Sequence, residues 1–268
     1  MRYSSKLMQS GTWSRFIAVA GLITIIAPVC LIVVSAFSLN PYYLLRDGVT
    51  FQWFDRLFHN VRLIKAFFTS LEIAVCTTVL ALIVALPTAF AVVRCRFRGQ
   101  GVILAILELP MMLPGVVVGL AGLSTLLQTG VINRNIPMIL ALLSVMVPLM
   151  LRPVTAALRQ TDPNQESAAR NLGANYLQVL VLITLPQLAP AVIAASLFCF
   201  VETLDNFAIT AFLSDLRTTT LPIESYSYIR DFDDPVISAV SAVLTAFGFF
   251  LAVFMDRIIS IERFVDIA

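Results

Sequence analysis

The sequence predicts an all-α integral membrane protein with six transmembrane helices. Its composition, the spacing of its apolar runs and the alternating charge of the segments between them all point that way. Of 268 residues, 59% are hydrophobic and 13% charged, where a soluble domain carries about a quarter charged residues. A helix needs about 20 residues to cross roughly 30 Å of hydrocarbon, and six runs reach that length. The formal net charge of +2 gives no reason to expect nucleic-acid binding.

The first run, 16–37, follows Arg2, Lys6 and Arg15. It exceeds the 7–15-residue apolar core of a cleaved signal peptide, so it reads as a retained anchor. Residues 1–15 then form a tail, and 16–268 a single transmembrane domain. The second run, 67–93, carries Pro87 near its end. The third, 102–127, contains Pro110 and Pro114, and the fourth, 136–158, contains Pro148 and Pro153. The fifth spans 188–213 and the sixth 236–255. Each proline frees a backbone carbonyl that neighbouring helices or water must satisfy; the resulting kinks either shape the bundle or serve as gates.

Orientation follows from Lys and Arg in the short flanks. The tail holds three, and the loop 94–101 holds Arg94, Arg96 and Arg98 without an acid. The loop between runs three and four has only Arg134. Segment 214–235 sets two arginines against Asp215, Glu224, Asp231, Asp233 and Asp234. Six spans with both termini in the cytoplasm satisfy this pattern. The longest outer segment, 38–66, holds Tyr42, Tyr43, Trp53 and Phe54 and reads as an interfacial amphipathic stretch.

Between runs four and five lies the longest polar passage, 162–190, within a predicted cytoplasmic elbow at 159–187. Asp162, Pro163 and Gln165 stand as N-cap, first-turn proline and capping-box partner of a helix. Gly173 occupies the position of a left-handed C-terminal cap. Asn175 and Gln178 repeat the capping box for a second helix. Ala168, Ala169 and Leu172 give the first helix a small apolar face, and Leu177, Leu180 and Val181 continue one on the second. That face either docks on a partner or packs on its own protein.

Several chemistries are excluded. Cys30, Cys76, Cys95 and Cys199 are scattered, which fits neither a disulfide framework nor a metal site. His59 is the only histidine, so no site needing two can form. No phosphate-binding loop of the Gly-x-x-x-x-Gly-Lys-Ser/Thr type is present, and no nucleophile–base pair stands out. The chain reads as no enzyme, with no cofactor of its own.

The elbow resembles the EAA loop of permease subunits of bacterial ABC importers. Ala168, Ala169, Gly173, Ile183, Leu185 and Pro186 fall on that pattern, while Ser167 stands where the family has its glutamate and Glu166 comes one position early. The stretch from Thr69-Ser70-Leu71 to Arg94 resembles the family's second span, and 109–115, Leu-Pro-Met-Met-Leu-Pro-Gly, its third. Segments 204–210 and 219–222, with Tyr226 and Ser227, are similar to the spermidine/putrescine-type permeases, with Asn206 in place of that subgroup's second aspartate. The resemblance implies a type I importer permease (MetI-like) bundle in the bacterial inner membrane. It implies two ATP-binding subunits carrying ATP and Mg, a second permease subunit and a periplasmic solute-binding protein. It places Glu166, Ser167, Ala168, Ala169, Leu172, Gly173, Ala174 and Tyr176 at the contact with an ATP-binding subunit. A polyamine-like solute comes first, with phosphonates, other small organic solutes and ferric iron behind it.

Four acids lie inside apolar runs: Glu72, Glu108, Glu202 and Asp205. A charge at mid-bilayer costs about 2.5–3.5 kcal/mol on insertion scales, so such groups face protein or water. Glu202 and Asp205, three apart, share a helix face. With Asn206 they either line a path for a cationic solute or hold neighbouring helices together. Glu72 is expected to reach the outer interface, and Glu108 to bond backbone freed by Pro110. An ion-driven secondary transporter would instead show inverted repeats, broken helices and a coupling acid. A membrane scaffold or enzyme would use the elbow only for docking.

Overall fold

The computed structural model describes residues 4–40, 48–95, 97–130, 133–215, 218–232 and 234–265, with side chains from Arg15 to Met255 and at Arg257 within those stretches. Arg2, Tyr42, Tyr43, Arg96 and Asp233 lie outside the described residues. Those described are helical apart from turns and one isolated bridge between Ser38 and Val49. In order they form α1 (Ser4–Ser35), α2 (Gln52–His59), α3 (Val61–Arg94), α4 (Gln100–Met112), α5 (Gly115–Thr129) and α6 (Asn135–Gln160). The elbow contributes α7 (Pro163–Asn171), α8 (Tyr176–Val179) and a π-turn (Leu180–Thr184). There follow α9 (Leu185–Leu204), α10 (Thr210–Leu213), α11 (Leu221–Asp231) and α12 (Val236–Val265).

Among the described residues, five stretches are long and apolar enough to cross a membrane: Arg15–Ser35, Val61–Arg94, Asn135–Gln160, Tyr176–Leu204 and Val236–Met255. A sixth is made only if α4 and α5 count as one span. The expected third span is thus not a single helix. It breaks at Leu113 and Pro114, both extended, and its halves bend by 100°. Pro114 disfavours helical geometry at the residue before it. In contrast, α6 runs unbroken through Pro148 and Pro153.

Contacts divide the chain into two compact units. One comprises residues 1–61 and 228–249, the other 62–227 and 250–268. In the first, no side chain from Arg15 to Ile32 is buried, as suits a helix that is apolar all round. Trp53 on α2 is buried and donates from Nε1 to the Ser38 carbonyl at 2.7 Å. Arg56 covers its ring at 5.0 Å. The amphipathic stretch therefore exists, but Trp53 anchors it inward, because its indole N–H finds a backbone partner there. Asp234 holds the same unit together by pairing with Arg56 at 3.4 Å and accepting from the Tyr228 hydroxyl at 3.2 Å. Burial first, and the Asp234 carboxylate second, push that hydroxyl up to about 12.

The second unit has α6 at its centre. Ala81, Ala85 and Ala89 on α3 recur every four residues and are fully buried against Met146, Met150, Val154 and Leu158 of α6 and Leu188, Ala195 and Cys199 of α9. Small residues at that spacing let helix backbones approach closely. A second cluster joins Ile73, Val118, Leu126, Met138, Leu142, Ile209 and Leu213. Here α10 lies against α5 at Gly119, where an added Cβ would stand 2.9 Å from the Ile209 carbonyl oxygen.

Candidate functional site

The elbow begins at Asp162, which is extended (φ −79°, ψ 115°) and accepts from the Asn164 N–H at 2.9 Å. Pro163 takes the first helical position. The capping box expected with Gln165 is replaced by a tertiary bond: its side-chain oxygen accepts from Gln187 Nε2 at 2.7 Å. At the far end of α7, the Gly173 N–H bonds the Arg170 carbonyl at 2.9 Å and the Ala174 N–H bonds that of Ala169 at 3.1 Å. This crossed pair is a Schellman cap, and it requires the left-handed φ of +94° found at Gly173. Asn175 and Gln178 then form the predicted reciprocal box, both bonds at 2.9 Å.

Beyond Asn175 the structure departs from two separate elbow helices. α8, the π-turn and α9 run on as one stretch, Tyr176–Leu204. The elbow's second arm is therefore the first part of the fifth span. The span begins before 188, and it stops at Leu204 instead of 213.

Two sets of side chains part company here. Leu172 is 90% exposed at the tip, and Tyr176 and Leu177 beside it are exposed at 62% and 67%. Ser167 and Ala168 are exposed, while Ala169 and Ala174 are half-buried. The Arg170 guanidinium covers the Tyr176 ring at 5.4 Å. Glu166 points the other way. Its Oε1 accepts from Arg94 Nη2 at 2.8 Å and from the Thr184 hydroxyl at 3.2 Å. Arg94 also donates to Thr161 Oγ1 at 2.7 Å. A cavity of about 240 Å³ lies beside this junction, lined in part by Phe90, Ser167, Arg170, Tyr176 and Leu180.

The acids within apolar runs are placed as follows. Glu202 is exposed near the end of α9, and Asp205, also exposed, is its C-cap. The Asp205 N–H still bonds the Val201 carbonyl at 3.1 Å, so the two acids stay one turn apart, but the helix goes no further. Asn206 accounts for the stop. Its side-chain oxygen accepts from the Ile209 N–H at 3.0 Å, a local bond that competes with helix continuation. Phe207 packs edge-on against Tyr226 at 5.5 Å, which joins the two segments that resemble polyamine permeases.

Glu108 does not serve backbone freed by Pro110. It takes Arg152 in a two-pronged pair, Nε to Oε1 at 3.3 Å and Nη2 to Oε2 at 3.2 Å. Glu72 is exposed on α3, eleven residues after the helix begins. Arg94, Arg152 and Thr184 were not singled out from sequence. Arg152 was within reach, because a lone charge in an apolar run is as informative for a cation as for an acid. Arg94 counted only as a loop charge, although it is the last residue of its helix.

Comparison with known proteins names this arrangement. Residues 67–261 match the family described as binding-protein-dependent transport system inner membrane component. The spermidine/putrescine transport system permease protein PotC of Haemophilus influenzae is 29% identical over 86% of this chain and 90% of its own. The putrescine transport system permease protein PotI of Escherichia coli is 28% identical over 87% and 85%. Among solved structures, a bacterial ABC transporter involved in import of the acidic polysaccharide alginate matches with a TM-score of 0.70 at 17% identity, covering 97% of this chain and 98% of that one. The methionine ABC transporter MetNI matches at 0.62 and 17%, over 75% and 95%. With the family matched across most of its length and an all-helical, membrane-spanning fold shared with importer permeases, the chain belongs to the inner-membrane permease components of binding-protein-dependent transport systems.

Proposed function

We propose that this permease passes a polyamine-like small solute, delivered by a periplasmic binding protein, across the bacterial inner membrane by alternating access. Two ATP-binding subunits, holding ATP and Mg, drive the cycle, and a second permease chain completes the pathway. Both termini and the elbow lie in the cytoplasm in this reading, which the Lys and Arg of the N-terminal tail and of the basic loop 94–101 support.

The observation that carries the reading is the elbow tip. A Leu that is 90% exposed, held out by a Schellman turn and flanked by Tyr176 and Leu177, is an apolar knob on a short rigid hairpin. Such a knob suits a groove on another protein. Ser167, Ala168, Ala169, Leu172, Gly173, Ala174 and Tyr176 form the docking surface. Nucleotide-driven movement of the partner then biases a two-state bundle through it. At the opposite end of α9, Glu202 and Asp205 are exposed, and Asp205 stands two residues before Phe207 of the Phe207–Tyr226 pair. Carboxylates beside aromatic rings attract amines. The polyamine names of the relatives support the same class.

The importer reconstituted in liposomes with its binding protein provides the test. Putrescine or spermidine is expected to raise ATP hydrolysis. Stimulation by a different small solute alone would remove the polyamine reading while leaving the permease in place. Hydrolysis indifferent to every solute offered would contradict coupling altogether.

A further inference from the structure

We propose that Arg94 pins the elbow to α3, so that movement of the elbow drives α3 as well as the two spans it joins by sequence. The inference rests on the coupling role proposed for the elbow and adds a third span to it.

Covalent continuity links the elbow to α6 and α9 only. The packing of α7 adds little, since none of its side chains is buried and a cavity of about 240 Å³ opens between it and Phe90 of α3. Polar ties fasten it instead. The Arg94 guanidinium, on the last residue of α3, reaches Glu166 of α7 at 2.8 Å and Thr161, the cap of α6, at 2.7 Å. Glu166 in turn accepts from Thr184 at the end of the π-turn. One guanidinium and one carboxylate thus join the ends of α3, α6, α7 and the π-turn. Arg94 and Glu166 are 24% and 20% exposed, so the pair is shielded, and charge-assisted bonds of this length are the strong ones.

The register of the acid fits this use. Glu166 sits one residue ahead of Ser167, and on a helix that step turns a side chain by roughly 100°. Ser167 faces out, its hydroxyl donating to the Pro163 carbonyl at 3.0 Å, while Glu166 faces the end of α3. The π-turn Leu180–Thr184 beside the pin supplies local compliance, since such turns interrupt the regular helical ladder and often mark functional positions.

The test uses the complete importer in liposomes, with uptake and ATP hydrolysis measured together. In Arg94→Gln, basal hydrolysis and subunit assembly are expected to persist, and Glu166→Gln is read for its coupling ratio alone. Solute moved per ATP should fall at least about fivefold, the lower end of typical coupling factors. The exchange Arg94→Glu with Glu166→Arg should restore a large part of that ratio. An unchanged ratio in both single variants overturns the pin, as does an exchange no better than the single variants. If a single variant fails to assemble, Glu166→Asp, which keeps the charge and shortens the arm, provides the same readout. Leu172→Asp separates the two readings. Loss of coupling there with a normal Glu166→Gln leaves the elbow as coupler and removes only the pin; normal coupling there removes the elbow reading itself.

Discussion

The elbow and the α9–α10 corner are both turns between helices, yet they are built differently. At the elbow, Asp162, Gly173, Asn175 and Gln178 each satisfy backbone groups within a few residues of themselves. At the corner, Asn206 ends α9 locally, but α10 stays in place because Ile209 and Leu213 bury themselves against α5 and α6. Local hydrogen bonding makes the first turn hold its shape with little help. Tertiary packing makes the second. A change at the corner should therefore cost stability, and one at the elbow should cost coupling.

The largest expected effect is at Gly119, under the corner. Its Cβ in Gly119→Ala would stand 2.8 Å from the Phe212 ring and 2.9 Å from the Ile209 carbonyl oxygen. Overpacking of this kind costs about 1–3 kcal/mol, and a clear fall in the melting temperature of the purified importer should report it. An unshifted melting curve would mean the corner is looser than its packing implies. Next comes Gly173→Ala, which forces an alanine to φ +94° at about 1–2 kcal/mol. Open space surrounds that Cβ position, so strain in the turn is the whole cost. Its uptake per ATP should fall further than its stability does, and the reverse would blur the comparison. Asp205→Asn is expected to be smallest on stability, within about 0.5 kcal/mol for an exposed cap, while lowering uptake. Normal uptake would take Asp205 off the solute path.

The same contrast explains what the sequence disclosed. Six apolar runs announced the membrane fold because hydrocarbon thickness sets their length. The Gly173 turn and the Asn175 box were legible because each needs only residues close to it. Three features depended on partners far along the chain. Glu108 meets Arg152 forty-four residues away, Glu166 meets Arg94 across seventy-two, and Gln165 leaves its own cap for Gln187. Proline position did not separate the broken third span from the intact fourth. Pro114 follows α4, a helix with no buried side chain, whereas Pro148 lies in the buried seam of α6. The broken α4–α5 pair also met one expectation of a secondary transporter, but family membership across residues 67–261 decides against that class.

The central claim is that the exposed tip of the elbow docks on a nucleotide-driven partner. It is tested most directly by thiol labelling of Leu172→Cys in a chain whose four native cysteines are replaced by serine. The account predicts rapid maleimide labelling of the permease chain alone, strong protection in the assembled importer, and a change in that protection when ATP is added. Equal labelling in the isolated chain and the complex, with or without nucleotide, would contradict it.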